Sequence, residues 1–321
     1  MGEDVVLVPD WRMDEVTLVL PTAGMYVYNR DLSELELFYA DFVTEIARHD
    51  AVRCLVEDEG QARKLERLSG LGPGVFRLAP VPDIWIRDFA PIPSTRGGIK
   101  FRYAPPHGTK KLNRAIDAAV LEHLEAEGVH IKIEDLAFEG GNLTHNGRLG
   151  IATRKLYNRN PGRDRPEILE TFRRCLGLER LVVVPIEPGD RTGHVDGMLR
   201  WIDEGRLLVN DYRGLEGAER FQRRLLEVLD RELPDVERVW LPYQWSSARR
   251  DGWYDARGNY ANFLRTANRV YVPVYGAPQD AQAVELFEEI FPGQVSPVDA
   301  RVVARYGGSL HCITWNRATP C

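Results

Sequence analysis

The sequence predicts a mixed α/β fold in which a module of short strands and one helix is repeated along a single domain, residues 1–321. Three observations lead to this prediction. Helical periodicity recurs every 50 to 80 residues, short β-rich runs surround each helical segment, and no low-complexity linker divides the chain. With 321 residues, of which 44% are hydrophobic and 28% charged, the chain is long enough to bury a substantial core.

The first helical segment, SELELFYADFVTEIARH, opens with a helix-start signal. Ser33 and Glu36 have the spacing of a capping box, whose side chains satisfy free backbone N–H groups at a helix N-terminus. Four apolar residues fall on one face of this segment: Leu35, Phe38, Phe42 and Ile46. The same periodicity predicts four further helices: Lys111–Glu127, Arg165–Cys175, Leu215–Arg231 and Asp280–Ile290.

Short runs rich in β-branched and apolar residues predict the strands around these helices. In chain order they are VTLVLP, AVRCLVE, IKFRY, HIKIED, LGIAT, RLVVVP, GMLRWID, RLLVN, RVWLP, RVYVPVYG and HCITW. The segment FEGGNLTH at 138–145 also resembles RYGGSLHC at 305–312, and paired glycines permit unusual backbone dihedrals and close approach. This echo indicates an internal repeat.

Charge and hydropathy narrow the range of partners and locations. A net charge of −6 gives no general reason to expect nucleic acid or an anionic membrane as partner, and it is compatible with a small cationic ligand. No apolar run is long enough to span a membrane, and the start MGEDVVLVPDWRMDEV lacks the pattern of a secretory signal. The cysteines are sparse, without a C-x-x-C pair, which predicts free thiols in a cytoplasmic protein: Cys54, Cys175, Cys312 and Cys321.

The stretch RYGGSLHCITW at 305–315 contains the most conspicuous candidate for chemistry, Cys312. A free cysteine is commonly a small buried hydrophobe, and the alternative is a catalytic nucleophile. Adjacent residues of a strand point to opposite faces, so we expect the neighbouring His311 not to be the partner of Cys312. A nucleophile here requires a base from a distant segment.

The stretch RTGHVDGMLRWID provides such a base. His194 and Asp196 are two residues apart, so on a strand they share a face and project into one site. The alternative is an ordinary polar strand face, which fits poorly with the flanking Gly193 and Gly197.

The stretch VPDIWIRDFAPI combines acids and an indole in an otherwise apolar setting. Arg87 beside Asp88 is consistent with a solvated charge pair. Asp83, Asp88 and Trp85 equally suit a flat cation, because a carboxylate accepts two parallel N–H bonds from a guanidinium and an indole face attracts its charge.

Two further residues have an ordinary interpretation beside a functional one. Glu139 of FEGGN is either a solvated strand-end glutamate or a site residue, and Asn262 of NYANFLRTANRVYVPVYG either caps a turn or binds substrate. Metal-capable side chains occur at 194, 196, 311 and 312, but their spacing matches no familiar zinc pattern, so we expect no metal. Neither GLGPG nor EGGN has the context of a phosphate-binding loop.

Taken in order, WIRDFAPI, FEGGN, GHVDG, YANF with VYVPVYG, and GGSLHCIT resemble the agmatine deiminase and bacterial peptidylarginine deiminase branch of the guanidino-group-modifying superfamily. The match covers about residues 83 to 316, and the ordered set is specific although each motif alone is not. The resemblance implies a five-bladed α/β propeller (pentein) with pseudo-fivefold repeated modules around a central site. It also implies that no cofactor or metal is required.

The resemblance assigns roles to individual positions. Cys312 of HCIT matches the family nucleophile, and His194 of GHVD matches the general acid and base. Asp196 of the same motif and Asp88 of WIRD match carboxylates that bind the guanidinium. Glu139 of EGG matches a glutamate positioned behind the histidine.

Trp85 and Asn262 match positions that line the substrate pocket. The implied activity is a hydrolase that removes ammonia from a small cationic guanidino substrate through a covalent cysteine thiouronium, with agmatine the first substrate to try. The alternatives are free or peptidyl arginine, another guanidino compound, an amidinotransferase, and a noncatalytic guanidinium-binding protein. A homo-oligomer is a further possibility left open.

Departures from the family pattern lie around the pocket. PDIWIRD, FAPI and FRYAPPHG stand where family members commonly show Asn-Asp, Gly-Pro and Trp-Gly-Gly. The resemblance therefore implies the class of reaction more firmly than the substrate.

Overall fold

A computed structural model describes residues 5–105, 108–246, 248–250 and 252–318, and Cys321 lies outside this part of the chain. The α-helices are α1 (Leu32–Ala47), α2 (Glu59–Ser69), α3 (Ile86–Phe89), α4 (Lys110–Ala126), α5 (Lys155–Asn158), α6 (Arg165–Cys175), α7 (Glu219–Glu232), α8 (Asp280–Ile290) and α9 (Arg301–Ala304). Short 3-10 helices cover Asp10–Arg12, Tyr26–Asp31, Gly140–Asn142, Val195–Gly197 and Tyr260–Asn262.

The strands are short and lie between these helices. They are β1 (Glu15–Val19), β2 (Ala51–Val56), β3 (Phe76–Leu78), β4 (Ile92–Ser94), β5 (Gly97–Arg102), β6 (Ile131–Ala137), β7 (Thr144–His145), β8 (Leu149–Thr153), β9 (Arg180–Val184), β10 (Leu199–Trp201), β11 (Arg206–Asn210), β12 (Glu237–Leu241), β13 (Arg249–Arg250), β14 (Trp253–Tyr254), β15 (Leu264–Arg265), β16 (Val270–Val274), β17 (Val295–Asp299) and β18 (Thr314–Arg317).

Four sheets repeat one connection. Two strands pair antiparallel, a helix follows, and a third strand returns parallel to the second, because a parallel return needs a crossover. The units are β4–β5–α4–β6, β7–β8–α6–β9, β10–β11–α7–β12 and β15–β16–α8–β17. These four modules confirm the repeated α/β unit predicted from the spacing of the helices.

The two ends of the chain complete a fifth sheet of the same kind. Leu18 of β1 pairs with Thr314 of β18 in antiparallel register and with Cys54 of β2 in parallel register, with α1 as the crossover. β3 extends this sheet by one strand, and β13 with β14 forms a separate hairpin. In the part of the chain that the model describes, the sheets are separate and none of them closes on itself.

The apolar helix faces pack as the periodicity predicts. The four predicted residues of α1 are all buried: Leu35, Phe38, Phe42 and Ile46. Phe221, Leu225 and Leu229 of α7 are buried at the spacing of one helical face. All five predicted helices are confirmed, with α7 beginning four residues later than predicted.

The predicted capping box of α1 is wrong. The preceding 3-10 helix, Tyr26–Asp31, runs directly into α1, so Ser33 already lies inside the first turn and Asp31 occupies the cap position without a capping side-chain bond. Sequence reasoning also missed α2, of which only Leu65 is buried. Its start is instead stabilised by Asp58, whose carboxylate accepts the Gln61 N–H at 2.9 Å.

Among the residues described, no helix combines the length and apolar character needed to cross a membrane.

Candidate active site

A short turn or helix precedes the first strand of every module, and the predicted site residues lie on these five turns. α3 precedes β4, three 3-10 helices precede β7, β10 and β15, and the turn 310–313 precedes β18. The residues they hold are Asp88, Glu139, His194, Asp196, Asn262 and Cys312. Consecutive turns contact one another, and the N–H of Arg87 in α3 donates to the Cys312 carbonyl at 3.2 Å. The modules therefore bring segments far apart in sequence to one place.

Two local predictions about these turns are wrong. His194 and Asp196 belong to the 3-10 helix at Val195–Gly197 and its cap rather than to a strand, and the strand predicted for HCITW begins only at Thr314. Cys312 therefore lies in a turn, where the alternation of a strand does not apply. The glycines that flank these motifs favour turns over strands, and that signal was available in the sequence.

One cavity of about 1250 Å³ collects the predicted pocket residues. Its wall includes Trp85, Asp88, His194, Asp196, Asn262 and Cys312. Glu139 is buried, only 2% exposed, and lies behind His194. The thiol and the imidazole that the sequence pairs thus share one cavity.

The turn that holds Cys312 is fixed by Asn262. The side-chain oxygen of Asn262 accepts the backbone N–H groups of Ser309 at 3.1 Å and Cys312 at 3.3 Å. The thiol lies 3.7 Å from Asp196 Oδ2, within reach of a weak S–H donor bond. Burial, followed by the charges of Asp196 and Asp88, raises the pKa of the Cys312 thiol well above its usual value.

Two glycines allow the close packing of these turns. A Cβ at Gly308 would lie 2.5 Å from the Trp85 ring and 3.1 Å from the Cβ of Cys312. A Cβ at Gly141 would lie 2.6 Å from Asp88 Oδ1 and 2.9 Å from His194 Nδ1. The paired glycines of both echoing segments are therefore needed for close approach at the site.

His194 is held between two carboxylates. Its Nε2 lies 3.0 Å from Glu139 Oε2 and its Nδ1 lies 3.4 Å from Asp88 Oδ1. Burial lowers the pKa of His194, but the charges of Asp88 and Glu139 outweigh burial and raise it to about 9. The imidazole is therefore cationic at neutral pH.

Glu139 is kept ionised from behind by Arg159, a residue that sequence reasoning missed. Arg159 Nε lies 2.7 Å from Glu139 Oε1, and a terminal N–H of Arg159 donates to Oε2 at 2.9 Å. Burial raises the pKa of Glu139, but His194 and Arg159 together lower it to about 2. Arg159, Glu139 and His194 thus form a row of positive, negative and positive charges.

Asp88 and Asp83 are both acids of VPDIWIRDFAPI, and both line the cavity. Burial raises the pKa of Asp88 to about 7, and the N–H of Gly141 donates to its Oδ1 at 3.1 Å. Burial also raises the pKa of Asp83 to about 6, and its Oδ1 accepts the hydroxyl of Tyr28 at 3.2 Å. Both carboxyl groups are thus poised near neutral pH.

His311 takes part in the site through Asp196. Its Nδ1 lies 2.7 Å from Asp196 Oδ2, and because a carboxylate only accepts, the proton lies on Nδ1. Burial raises the pKa of Asp196, but the hydrogen bond from His311 lowers it below the usual range. We predicted that His311 is not the partner of Cys312, and that prediction did not foresee the contact of His311 with Asp196.

Asp10 lies behind His311, in the first 3-10 helix. Its Oδ2 is 3.6 Å from His311 Nε2 and 2.5 Å from a terminal nitrogen of Arg200, and its Oδ1 is 3.7 Å from Arg87. Arg87 also donates to Asn316 Oδ1 at 2.5 Å and is 8% exposed, so the interpretation as a solvated charge pair with Asp88 is wrong. No short motif joins these residues, and sequence reasoning missed Asp10 and Arg200.

Within residues 5–105, 108–246, 248–250 and 252–318, no group of three or more His, Cys, Asp or Glu side chains is placed to hold a metal ion. The free cysteines of this part of the chain are Cys54, Cys175 and Cys312. The first two are buried in apolar clusters, away from the cavity.

The fold is shared with proteins of known structure. The fold matches that of a C. jejuni agmatine deiminase, a serine variant with substrate bound, with a TM-score of 0.85 and 22% identity over 98% of this chain and 96% of that one. It matches an agmatine deiminase of Enterococcus faecalis with a TM-score of 0.82 and 19% identity over 97% and 95%. The chain thus has the mixed α/β fold of the agmatine deiminases.

The chain belongs to the Porphyromonas-type peptidyl-arginine deiminase family, whose model matches residues 7–317. A protein of Legionella pneumophila with the provisional name of agmatine deiminase is 27% identical over 316 residues, which cover 88% of this chain and 86% of that protein. The family resemblance predicted from the ordered motifs is confirmed. The roles of the individual residues stay predictions.

Proposed function

We propose that this protein is a hydrolytic guanidino deiminase and that its substrate is agmatine, converted to N-carbamoylputrescine and ammonia. One observation carries the proposal: the cavity wall brings together a thiol, a cationic imidazole and the carboxyl groups of Asp88 and Asp196, and a buried glutamate lies behind the imidazole. The names of the relatives support the substrate, since several of them are agmatine deiminases.

The two carboxylates bind the guanidinium. Asp88 and Asp196 accept its N–H groups and hold its plane, which turns attack by the Cys312 sulfur into an oriented step within one complex. The Trp85 ring, packed against the turn of Cys312, provides an apolar and electron-rich surface for the delocalised charge.

The first half-reaction replaces one nitrogen by sulfur. The Cys312 thiolate forms a C–S bond to the guanidinium carbon, and His194 transfers its proton to one nitrogen. The C–N bond breaks and ammonia leaves with the electron pair of that bond. A cationic thiouronium on Cys312 and a neutral His194 remain.

The second half-reaction replaces sulfur by oxygen. Neutral His194 takes a proton from a water molecule, and the oxygen of that water bonds to the thiouronium carbon. The C–S bond then breaks, Cys312 leaves as thiolate, and the new hydroxyl group of the ureido product releases its proton to solvent, where the departed ammonia takes it up. Glu139 stabilises the imidazolium at both stages, and the sequence needs no oxidant or cofactor.

Binding of the cation also ionises the nucleophile. Burial and the two acids beside Cys312 disfavour its thiolate in the free protein, and the positive charge of the substrate offsets the charges of the acids. The thiol proton is released to solvent when the guanidinium binds. Alkylation of Cys312 followed against pH, with and without a guanidino analogue, should show a lower thiol pKa with the analogue, and equal pKa values would contradict this step.

We further infer that the five modules are the blades of a propeller around this site. The repeated strand order and the consecutive contacts of the five turns support this arrangement.

The decisive experiment is a panel of guanidino compounds assayed for ammonia and ureido product, with Cys312→Ala as control. Agmatine should give both products in equal amounts, with no added amine acceptor, and Cys312→Ala should give neither. Amidino transfer to an added amine without ammonia would identify an amidinotransferase instead. Binding without turnover would identify a guanidinium-binding protein.

A further inference from the structure

Thr153, at the end of β8, is a fully buried threonine between the turn of Glu139 and the turn of His194. Its backbone N–H donates to Asn142 Oδ1 at 3.0 Å, and Asn142 ends the 3-10 helix that directly follows Glu139. Its hydroxyl donates to the Gly193 carbonyl at 2.5 Å. Thr153 therefore connects the glutamate behind the imidazole with the backbone that carries the imidazole.

Gly193 directly precedes His194, and its backbone is left-handed, with a φ of 65°. Glycine adopts this conformation without strain but has more backbone freedom than any other residue. The single proton of the Thr153 hydroxyl goes to the glycine carbonyl, while the hydroxyl oxygen accepts the Lys155 N–H at 3.1 Å. The direction in which the chain enters His194 therefore depends on such contacts with the Gly193 peptide.

Lys155, the first residue of α5, supports the same turn from a second position. Its Nζ donates to the Arg191 carbonyl at 2.8 Å, and its side chain is buried. A Cβ at Gly193 would lie 3.1 Å from Lys155 Cδ, so the lysine side chain packs directly against the glycine. Asp190 Oδ2 accepts the His194 N–H at 3.2 Å from within the loop. The backbone is thus held at residues 191, 193 and 194.

The direction of the His194 ring decides how closely it approaches two carboxylates. Its Nε2 is 3.0 Å from Glu139 Oε2 and its Nδ1 is 3.4 Å from Asp88 Oδ1. The charged groups around this turn are Asp88, Glu139, Lys155, Arg159, Asp190 and Asp196. Attraction between charges falls with distance, and a misplacement of about 1 Å can lower a rate by about a hundredfold. The bond from Thr153 therefore bears on both the charge and the reach of the imidazole.

Asp196 belongs to the same turn as His194 but has supports of its own. Its Oδ2 lies 2.7 Å from His311 Nδ1, and Asn210 donates to the Gly197 carbonyl at 2.8 Å. The other carboxylate proposed to bind the guanidinium lies in α3. Binding of the guanidinium therefore depends less on the support from β8 than the placement of the imidazole does.

We propose that Thr153, assisted by Lys155, is a positioning residue that orients the imidazole of His194 through the Gly193 carbonyl. The inference rests on the proposed function, in which His194 transfers protons in both half-reactions. Thr153 is not part of the cavity wall, so it acts on the reaction through the histidine and not through the substrate. Loss of its hydroxyl slows turnover and leaves substrate binding nearly unchanged.

Thr153→Val tests the proposal because valine has nearly the shape of threonine, lacks the hydroxyl and changes no charge. The kcat for ammonia release from agmatine should fall by about 10- to 100-fold, the effect of a small misplacement. The Kd of agmatine, measured by calorimetry in the Cys312→Ala background, should change by less than about threefold. Thr153→Ser keeps the hydroxyl and should restore kcat to within about threefold.

Thr266→Val is the matched control. Thr266 is also buried, its hydroxyl donates to Asp50 Oδ2 at 2.9 Å, and it is not part of the cavity wall. This variant too loses a buried hydrogen bond, so its melting temperature should fall as well. Well below that temperature, its kcat and the Kd of agmatine should stay within about twofold of the values for the unchanged protein.

Titration of the imidazole by NMR follows the ring without any turnover. The signal of His194 is assigned from the spectrum of His194→Gln. The pKa of His194 should be about 9 in the unchanged protein and lower by about one pH unit in Thr153→Val, because the contacts with Glu139 and Asp88 lengthen while no charge is removed. A hydroxyl that serves only the stability of the fold would leave this pKa unchanged.

A kcat of folded Thr153→Val within about threefold of the unchanged protein would overturn the proposal. An equal loss of kcat in Thr153→Ser or in Thr266→Val, or an unchanged pKa of His194, would overturn it as well.

If Thr153→Val does not fold, Lys155→Met replaces it. Methionine keeps a long side chain against Gly193 but gives no N–H to the Arg191 carbonyl. Its kcat should fall by about 3- to 30-fold with the Kd of agmatine within about threefold, and an unchanged kcat would overturn the proposal.

Ammonia release by the unchanged protein is measured separately. If no ammonia is released, the proposed function is refuted, and the NMR titration alone decides whether Thr153 positions the histidine.

Discussion

Asp88 and Asp196 are the same residue type in the same cavity, yet their surroundings give them opposite proton affinities. Burial raises the pKa of Asp88 to about 7, whereas the pKa of Asp196 is lowered although its side chain is only 2% exposed, against 13% for Asp88. The difference in pKa comes from the groups that contact each carboxylate. Asp88 accepts a neutral backbone N–H from Gly141 and lies 3.4 Å from His194, whose other ring nitrogen contacts Glu139. Asp196 lies 2.7 Å from His311, whose other ring nitrogen is 3.6 Å from Asp10.

The comparison shows how the surroundings of two aspartates in one cavity give them different charge states. On the Asp196 side, His311 leads back to Asp10, which two arginines neutralise, and this arrangement stabilises a permanent negative charge. On the Asp88 side the carboxyl group stays near its titration point until a cation binds. We infer that Asp196 binds the guanidinium first and that Asp88 ionises upon binding.

Removal of the nucleophile should have the largest effect and should leave both acids in place. Cys312→Ala is expected to reduce kcat for ammonia release by about 10⁴-fold or more, because the covalent step is lost. Cys175→Ala is the matched control, since Cys175 is buried away from the cavity. Activity retained in Cys312→Ala would remove the basis for treating the acids as partners of a thiolate.

Replacing each acid by asparagine separately tests the difference in charge between Asp196 and Asp88. Asp196→Asn should lower kcat/KM for the guanidino substrate by about 10²- to 10³-fold at pH 7, because a fully ionised carboxylate is lost. Asp88→Asn should cost less at pH 7, since Asp88 is only partly ionised there, and the two losses should converge as pH rises toward 8.5. Losses that are equal at pH 7 and parallel at higher pH would contradict the assigned charge states.

Removing the hydrogen bond that His311 donates to Asp196 should raise the pKa of Asp196 toward that of Asp88. His311→Gln removes the Nδ1–H group at 2.7 Å, so the pKa of Asp196 should rise and kcat/KM should fall by about tenfold. The acid limb of the pH profile should move to higher pH, an effect that a general loss of stability would not produce. His123→Gln, a histidine in α4 outside the cavity, serves as control and should leave the profile unchanged.

The pH dependence of the unchanged protein gives the smallest and most general test. Asp88 has a folded pKa of about 7, so its carboxylate is present above that pH and is lost as pH falls through 7. His194 has a folded pKa of about 9, so its acidic form is present below that pH and is lost as pH rises through 9. Because the Cys312 thiol also loses a proton on binding, kcat/KM should rise by about a hundredfold per pH unit below 7 and by about tenfold per unit from 7 to 9, and should level off above 9.

A kcat/KM profile without a break near pH 7, or without one near pH 9, would contradict the assignment of Asp88 and His194. The Asp88→Asn variant should lack the break near pH 7, and its upper break should move to lower pH because the charge of Asp88 no longer raises the pKa of His194.

Much of the fold was predictable because its modules carry local signals. The apolar faces of the long helices and the strand runs are periodic patterns that do not depend on distant contacts. The missed pieces are short or polar: α2 buries little besides Leu65, and β7 and β15 contain two residues each. Such segments depend on tertiary contacts more than on their own composition.

The site could be predicted only through ordered motifs. His194, Asp196 and Cys312 occur in recognisable stretches, and the structure places them in one cavity. Asp10 and Arg159 lie in unremarkable sequence, and their roles become visible only through the contacts with His311 and Glu139. The strand assignments for the motifs failed because His194, Asp196 and Cys312 lie in turns flanked by glycines rather than in strands.

The central claim is that the Cys312 sulfur bonds to the guanidinium carbon. Rapid acid quenching of the protein during turnover of agmatine, followed by peptide mass spectrometry, tests it most directly. The account predicts a transient adduct on the peptide that contains Cys312, with the mass of agmatine less ammonia, and no adduct on Cys175. Formation of the ureido product with no adduct on Cys312 at any quench time, or with full activity after Cys312 is blocked, would contradict it.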